Sequence, residues 1–169
     1  VQELLFVING ANTKSLHTEV RLKSVAMVKE RPVIGIFNAP YENALGENFK
    51  YIDSENKVAM TVRSEAYRRV MNGRRFAVLA MSQSGFMVGR GLSRLSSDLF
   101  SAFPHRYFYR QKLLSLVDAE TVGTIGLQYP DGPNYVHYVN RRDIAPFLAG
   151  VMASDAQSGK GSVDALYGF

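Results

Sequence analysis

Ser82 is the residue whose type and surroundings most favour covalent chemistry. It lies in the segment AMSQSG at residues 80–85, between an apolar run and a segment with helical periodicity. A serine on a tight turn from a strand into a helix presents its hydroxyl above the sheet, at the positive end of the helix dipole. Such a turn requires small residues two positions either side, where this chain has Ala80 and Ser84 instead of glycine. The pattern predicts a nucleophile, and the alternative is a serine that only caps the following helix.

Polar and small residues also follow other predicted strands. They form three groups, NGAN at residues 9–12, NA at residues 38–39 and NRRD at residues 140–143. In open α/β sheets, ligands bind beyond the carboxyl ends of the strands, so these groups and Ser82 are expected at one edge of the sheet. Residue type alone leaves open whether they form turns or build a site.

The elements that must position these residues follow from the apolar pattern. Continuous apolar runs of strand length alternate with segments of helical periodicity. The runs predict strands at residues 4–8, 33–37, 76–81, 121–127 and 135–139, and the periodic segments predict helices at about 16–29, 58–70, 88–99 and 144–151. This alternation predicts an α/β fold, a three-layer sandwich with a mostly parallel central sheet.

Length and composition favour one globular domain over residues 1–169. The chain has 46% hydrophobic and 21% charged residues with 14 Gly and 6 Pro, which excludes disordered, collagen-like and low-complexity proteins. No apolar run approaches the roughly 18 residues of a transmembrane helix, and no signal peptide is visible. We therefore expect a soluble protein, with the cytoplasm favoured. Because the chain starts at Val1, a truncated or processed chain is an alternative.

The cysteine content and the net charge limit the kinds of site and partner that this protein can have. The absence of Cys excludes disulfides, thiolate metal sites and a cysteine nucleophile. The net charge of +5 would suit an anionic partner, but the basic residues are spread along the chain. The segment FPHRYFYRQK at residues 103–112 alternates rings with cations, as single-strand binders do. A loop with its rings on the core is the preferred interpretation, so nucleic acid is not an expected partner.

Three segments resemble α/β-hydrolase-fold serine esterases and lipases. Residues 6–12 (FVINGAN) resemble the family's segment that carries an oxyanion-hole amide, and residues 76–85 (FAVLAMSQSG) resemble its strand and nucleophile elbow. Residues 135–146 (YVHYVNRRDIAP) resemble the late strand whose following turn carries the catalytic acid. Two positions depart from the family pattern, because Met81 stands where His is usual and Ser84 where Gly is usual.

The resemblance implies roles for particular residues. Ser82 would attack an acyl carbonyl, and the backbone N–H groups of Gln83 and of Gly10 or Ala11 would stabilise the oxyanion. Asp143 would orient a histidine base. The implied substrate is a small acyl ester or a lipid-like molecule. No cofactor and no metal are expected.

The base is the residue that the resemblance does not supply. In the family the histidine follows the acid, but the only histidines here are His17, His105 and His137, all before Asp143. The base could lie beyond the end of the chain, or His137 or His105 could act from an unusual position.

Catalysis could also have been lost, with Ser162 or another residue of segment 159–167 in the region where the family has its histidine. The fold would then serve as a non-catalytic structural or binding subunit of a homo-oligomer or a larger assembly. His137 is the candidate base for the active alternative.

Overall fold

A computed structural model of the chain describes residues 3–10, 15–38, 56–124, 128–143, 152 and 156–167. The strands of this part are β1 (Leu5–Ile8), β2 (Val33–Ile36), β3 (Phe76–Met81), β4 (Val117–Val122), β5 (Asn134–Asn140) and β6 (Val163–Tyr167). The helices are α1 (Ser15–Lys29), α2 (Lys57–Met71), α3 (Ser84–Ala102) and α4 (Tyr107–Leu114).

The strands form one parallel sheet in the order β2-β1-β3-β4-β5-β6. Alternate residues of β1 and β3 face opposite sides, as the two-residue period of a strand requires. Phe6 and Val78 pack in the larger core with α2 and α3, whereas Val7 and Leu79 pack on the opposite side with α1. The predicted three-layer α/β fold with a parallel sheet is therefore confirmed.

Helices α2 and α3 cover the larger core for reasons visible in their sequences. The apolar stripe of α3 at Val88, Leu92, Leu95 and Leu99 is fully buried, as the helical period predicts. Helix α2 begins where the Asn56 side chain accepts the backbone N–H of Val58 at 2.8 Å, a standard N-cap.

The close approach of these two helices depends on Gly91. A Cβ atom at Gly91 would lie 2.8 Å from the carbonyl oxygen of Ala59 and 2.8 Å from a methyl carbon of Val62. Only a residue without a side chain fits at this crossing.

The sequence pattern misplaced one strand. Strand β4 spans Val117–Val122, so it begins before the predicted range of 121–127 and ends before Gly123; residues 125–127 lie outside the described residues. Its start was missed because acidic side chains interrupt its apolar pattern. Asp118 pairs with Arg75 at 2.6 Å, and Glu120 pairs with Lys29 of α1 at 2.6 Å. These ion pairs neutralise carboxylates that face away from the larger core, so the strand can carry them.

Two further elements were not predicted. Segment 103–112 was expected to be a loop with its rings on the core, but most of it belongs to α4, where Tyr107 is 58% and Phe108 86% exposed. Strand β6 was missed because its residues are mostly exposed and show no buried apolar pattern. The helix predicted over residues 144–151 lies outside the described residues.

Within the part of the chain that the structure describes, no helix is both long enough and apolar enough to cross a bilayer.

Candidate functional site

The site lies at the carboxyl edge of the sheet, between β1 and β3. From β1 the chain crosses to β2 on one side, and β3 lies on the other side of β1, so the direction of winding reverses between β1 and β3. Helices and loops diverge at such a switch point and leave a crevice. Ile8 pairs with Ala80 in the sheet, so Gly10 and Ser82 follow their strands at the same level.

Gly10 and Ser82 come into direct proximity there. A Cβ atom built on Gly10 would lie 3.0 Å from the Cβ of Ser82 and 3.7 Å from its hydroxyl oxygen. It would also lie 3.3 Å from the carbonyl oxygen of Met81. Any side chain at position 10 would therefore crowd the serine, and glycine keeps the backbone of the first strand's end beside the hydroxyl.

Ser82 itself has an unusual backbone conformation. Its φ is +55°, in the left-handed region that non-glycine residues rarely adopt. It lies between the end of β3 and the start of α3 and is exposed. The tight strand-to-helix turn that the sequence suggested is therefore present, and strain of this kind is frequent at functional sites.

The Ser82 side chain does not cap helix α3, so the alternative role predicted for it is wrong. The N-cap position of α3 is Gln83, and no side chain caps the helix there. The carbonyl oxygen of Ser82, not its hydroxyl, accepts the N–H of Gly85 at 3.1 Å. Within the described ranges, the Ser82 hydroxyl has no hydrogen-bond partner.

Ser84 holds the turn together, a role that the sequence reasoning missed. Its side chain is fully buried, and its hydroxyl oxygen accepts the N–H of Met81 at 2.8 Å. The same hydroxyl can donate to the carbonyl oxygen of Met81 at 2.7 Å or of Ile8 at 3.2 Å. The residue that departs from the glycine of the family pattern thus joins the end of β3 to the end of β1.

A second buried contact joins the ends of β1 and β2. The Asn9 side chain donates to the carbonyl oxygen of Asn38 at 2.8 Å and accepts the N–H of Asn38 at 2.7 Å. Both asparagines are buried. Residue type alone left open whether these asparagines form turns or build a site. In the structure they hold the backbone next to Gly10 in place.

Asp143 lies on the turn after β5. Its carboxylate oxygen would be 3.3 Å from a Cβ atom built on Gly123, the residue that follows β4. On the other side of β4, the N–H of Ser82 donates to the carbonyl oxygen of Val122 at 3.0 Å. Ser82 and Asp143 therefore flank the carboxyl end of β4, Ser82 at its last residue Val122 and Asp143 at the following Gly123.

His137 lies in the protein interior. It is fully buried on β5 in the face that contacts the larger core, and its ring stacks on that of Tyr135 at 5.7 Å. Its Nε2 lies 3.1 Å from the carbonyl oxygen of Ser158, which can only accept, so Nε2 carries the proton. Nδ1 then accepts the hydroxyl of Thr121 at 2.7 Å.

Both ring nitrogens of His137 are therefore engaged in structural hydrogen bonds. Burial lowers the pKa of His137, and the Ser158 carbonyl and Asp164 oppose that shift only in part. A neutral imidazole whose acceptor nitrogen already binds Thr121 has no lone pair left for the Ser82 proton. This geometry gives no support to His137 as the base.

The other histidines and the remaining candidate residues lie at several different positions in the fold. His17 is exposed in the first turn of α1, and because α1 follows β1, it lies at the same sheet edge as Ser82. His105 precedes α4, at the far end of α3 from Ser82, and is exposed. Ser162 donates to the Ser158 hydroxyl at 3.0 Å, beside the contact of His137. Ala11 lies outside the described residues.

Among the described residues, no group of three or more Asp, Glu or His side chains could hold a metal ion.

Comparison of the chain with protein-family models, with curated proteins and with solved structures found no match. The geometry of the carboxyl edge is therefore the basis for assigning a function.

Proposed function

We propose that this protein is a serine hydrolase of the α/β-hydrolase type that cleaves small acyl esters or lipid-like esters, with Ser82 as the nucleophile. The observation that carries the proposal is the left-handed conformation of Ser82 on a strand-to-helix turn, φ +55°, next to the backbone of Gly10. A turn of this type projects a hydroxyl away from the sheet at the start of a helix.

The surroundings of Ser82 suit acyl transfer. Oγ of Ser82 would attack the ester carbonyl and form an acyl-enzyme as the alcohol leaves with a proton, and water would then release the acid. Gln83 follows the serine at the start of α3, where the first-turn N–H groups lack acceptors within the helix. Its N–H and one from Gly10 or Ala11 are the proposed donors to the oxyanion.

Asp143 is the proposed acid of the site. It lies beyond β5 and over Gly123, while Ser82 is bonded to the adjacent Val122. An imidazole placed between the two would be oriented by the carboxylate and would accept the serine proton. Of the histidines that the structure describes, His17 is the one at the carboxyl edge of the sheet, and we assign it as the candidate to test first.

The test is labelling of the full chain with a fluorescent fluorophosphonate, which reacts with activated serines. We expect labelling of the wild type, none of Ser82→Ala, and unchanged labelling of Ser97→Ala, an exposed serine on α3. His17→Ala should reduce labelling strongly, because a serine without a base is a weak nucleophile. His137→Gln should retain labelling wherever the variant is folded by circular dichroism.

A non-catalytic binding or structural subunit is the second candidate. The specific observation in its favour is that the Ser82 hydroxyl has no partner within the described ranges while His137 is locked in the interior. Absence of any labelling of the folded full-length protein, at all pH values between about 6 and 9, would reject the hydrolase and favour this candidate.

A further inference from the structure

Helix α4 and the end of α3 carry an exposed cluster of aromatic rings. Phe108 is 86% exposed, Tyr107 and Phe100 are each 58% exposed, and Tyr109 is 41% exposed. Single exposed apolar residues are common, but here Phe100 and Tyr107 both lie against the Arg110 guanidinium and Tyr107 meets Phe108, so exposed rings of the two helices adjoin one another. We call these four residues, together with Arg106, Arg110 and Lys112, the aromatic–basic patch.

The rings of the patch are ordered by contacts with one another and with an arginine. The Tyr107 and Phe108 rings meet edge to face at 5.6 Å, and Tyr109 contacts the half-buried Phe103 at 5.0 Å. The guanidinium of Arg110 lies 4.9 Å from the Phe100 ring and donates to the carbonyl oxygens of Phe103 and Pro104. Arg110 thus joins α3 to α4 and holds the exposed rings in place.

The patch carries positive charge with no acidic residue in its own segment of the sequence. The sequence between Asp98 and Asp118 contains Arg106, Arg110 and Lys112 and no Asp or Glu. Asp98 is paired with Arg63, and Asp118 with Arg75 at 2.6 Å, so these carboxylates are directed to other cations. The charge of the patch therefore complements an anionic surface.

We propose that the aromatic–basic patch docks this protein on an anionic lipid surface. Aromatic rings favour the headgroup level of a bilayer, and nearby cations are attracted to acidic lipids. The patch presents both features on exposed helices. The inference is independent of the proposed hydrolase activity, because the patch lies at the far end of α3 from Ser82.

A single-stranded nucleic acid is a poorer match to the same residues. Bases stack on open ring faces. Here the guanidinium of Arg110 lies 5.9 Å from the Tyr107 ring as well as against Phe100, and Tyr107 and Phe108 are inclined at 76°. The rings do not form a row of parallel stacking faces.

The test is co-sedimentation of the full chain with phosphatidylcholine vesicles that contain about 30% phosphatidylserine, compared with vesicles of phosphatidylcholine alone. We expect binding to the anionic vesicles that weakens as salt concentration rises. Phe108→Ser should weaken that binding about tenfold, because the ring no longer enters the interface. The double variant Arg106→Gln, Lys112→Gln should weaken it about 25-fold, since each cation contributes about fivefold near an acidic surface.

Matched controls lie elsewhere on the surface. Met27→Ser changes a 79% exposed apolar residue on α1, and Arg74→Gln changes an exposed arginine between α2 and β3. Both should bind anionic vesicles like the wild type. The proposal is overturned if the wild type does not sediment with anionic vesicles, or if Phe108→Ser and Met27→Ser have equal effects. Patch-dependent binding to a fluorescent single-stranded oligonucleotide without vesicle binding would also overturn it.

Discussion

The conformation of Ser82 is the residue-scale feature that distinguishes this site from an ordinary turn. Among the described non-glycine residues, only Glu30 and Ser82 have a positive φ, +49° and +55°. Glu30 directly follows α1, where a left-handed residue is a common way to stop a helix. At Ser82 the same conformation is held by the Ser84 hydroxyl and by the bond from its own N–H to Val122.

Replacement of Ser82 by glycine measures the strain in this turn. A left-handed conformation costs a non-glycine residue about 1 kcal/mol, so Ser82→Gly should raise the free energy of unfolding by that amount. Ser82→Ala should leave it nearly unchanged, since the exposed hydroxyl has no partner among the described residues. Urea denaturation followed by circular dichroism measures both.

Glu30→Gly is the matched control because it removes a side chain from the same backbone conformation far from Ser82. It should leave fluorophosphonate labelling intact, whereas Ser82→Gly abolishes it. A loss of stability in Ser82→Gly would contradict the assignment of strain to this residue.

At the scale of elements, α3 connects the site to the rest of the molecule. Its first turn follows Ser82, its apolar stripe fills the larger core, and its last turns carry part of the aromatic–basic patch. The position of the serine therefore depends on how closely α3 packs on α2 and on the segment after β4. Gly85 contacts Thr124 there, and Gly91 contacts α2.

Gly91→Ala tests this packing. The new Cβ would lie 2.8 Å from the Ala59 carbonyl oxygen, so α3 must shift away from α2, and overpacking of this kind costs about 1–3 kcal/mol. Thermal unfolding should show a lower Tm in Gly91→Ala. Ser97→Ala on the exposed side of α3 should keep or raise the Tm, because alanine is the better helix former. Equal Tm values for Gly91→Ala and the wild type would disprove the tight crossing.

At the scale of the whole molecule, His137 helps to fasten β6 and its preceding turn to the sheet. Its neutral ring bridges Thr121 of β4 and the Ser158 carbonyl that precedes β6. Tyr129 and Tyr135 surround it, and burial raises the pKa of Tyr129 to about 12. Burial raises the pKa of both phenols and keeps them neutral, so His137 is the one of these three rings whose titration makes this part of the fold sensitive to pH.

The sign of the pH effect follows from the direction of the His137 shift. Since burial lowers its folded pKa below the ordinary value of 6.5, the unfolded chain binds a proton first as pH falls. The stability that neutral His137 contributes is complete above about pH 6.5 and is lost below it, with a slope of at most about 1.4 kcal/mol per pH unit for one proton.

Urea denaturation between about pH 5 and 8 measures this slope. The decrease toward low pH should be smaller in His137→Gln than in the wild type. Ser97→Ala, an exposed substitution on α3, should retain the wild-type slope. An unchanged slope in His137→Gln would show that other groups control the acid sensitivity.

Much of the architecture was predictable from the sequence because it depends on local apolar patterns. Strand β3 was predicted at its observed bounds, and the predicted ranges of α1 and α2 lie within about two residues of the observed helices. Strand β4 was misplaced and β6 was missed because both strands carry charged or exposed side chains. Such side chains fit into a strand when residues distant in sequence contact them, as Lys29 pairs with Glu120 of β4.

The sequence alone determined the α/β class and the candidate serine, since apolar periodicity and small residues around Ser82 are local properties. Only the tertiary structure decided which polar residues meet. It brought Gly10 to Ser82, used Ser84 to join β1 to β3, and enclosed His137 between Thr121 and Ser158. The physical reason is that hydrogen bonds and burial between residues up to 91 positions apart follow from strand order, which no local pattern encodes.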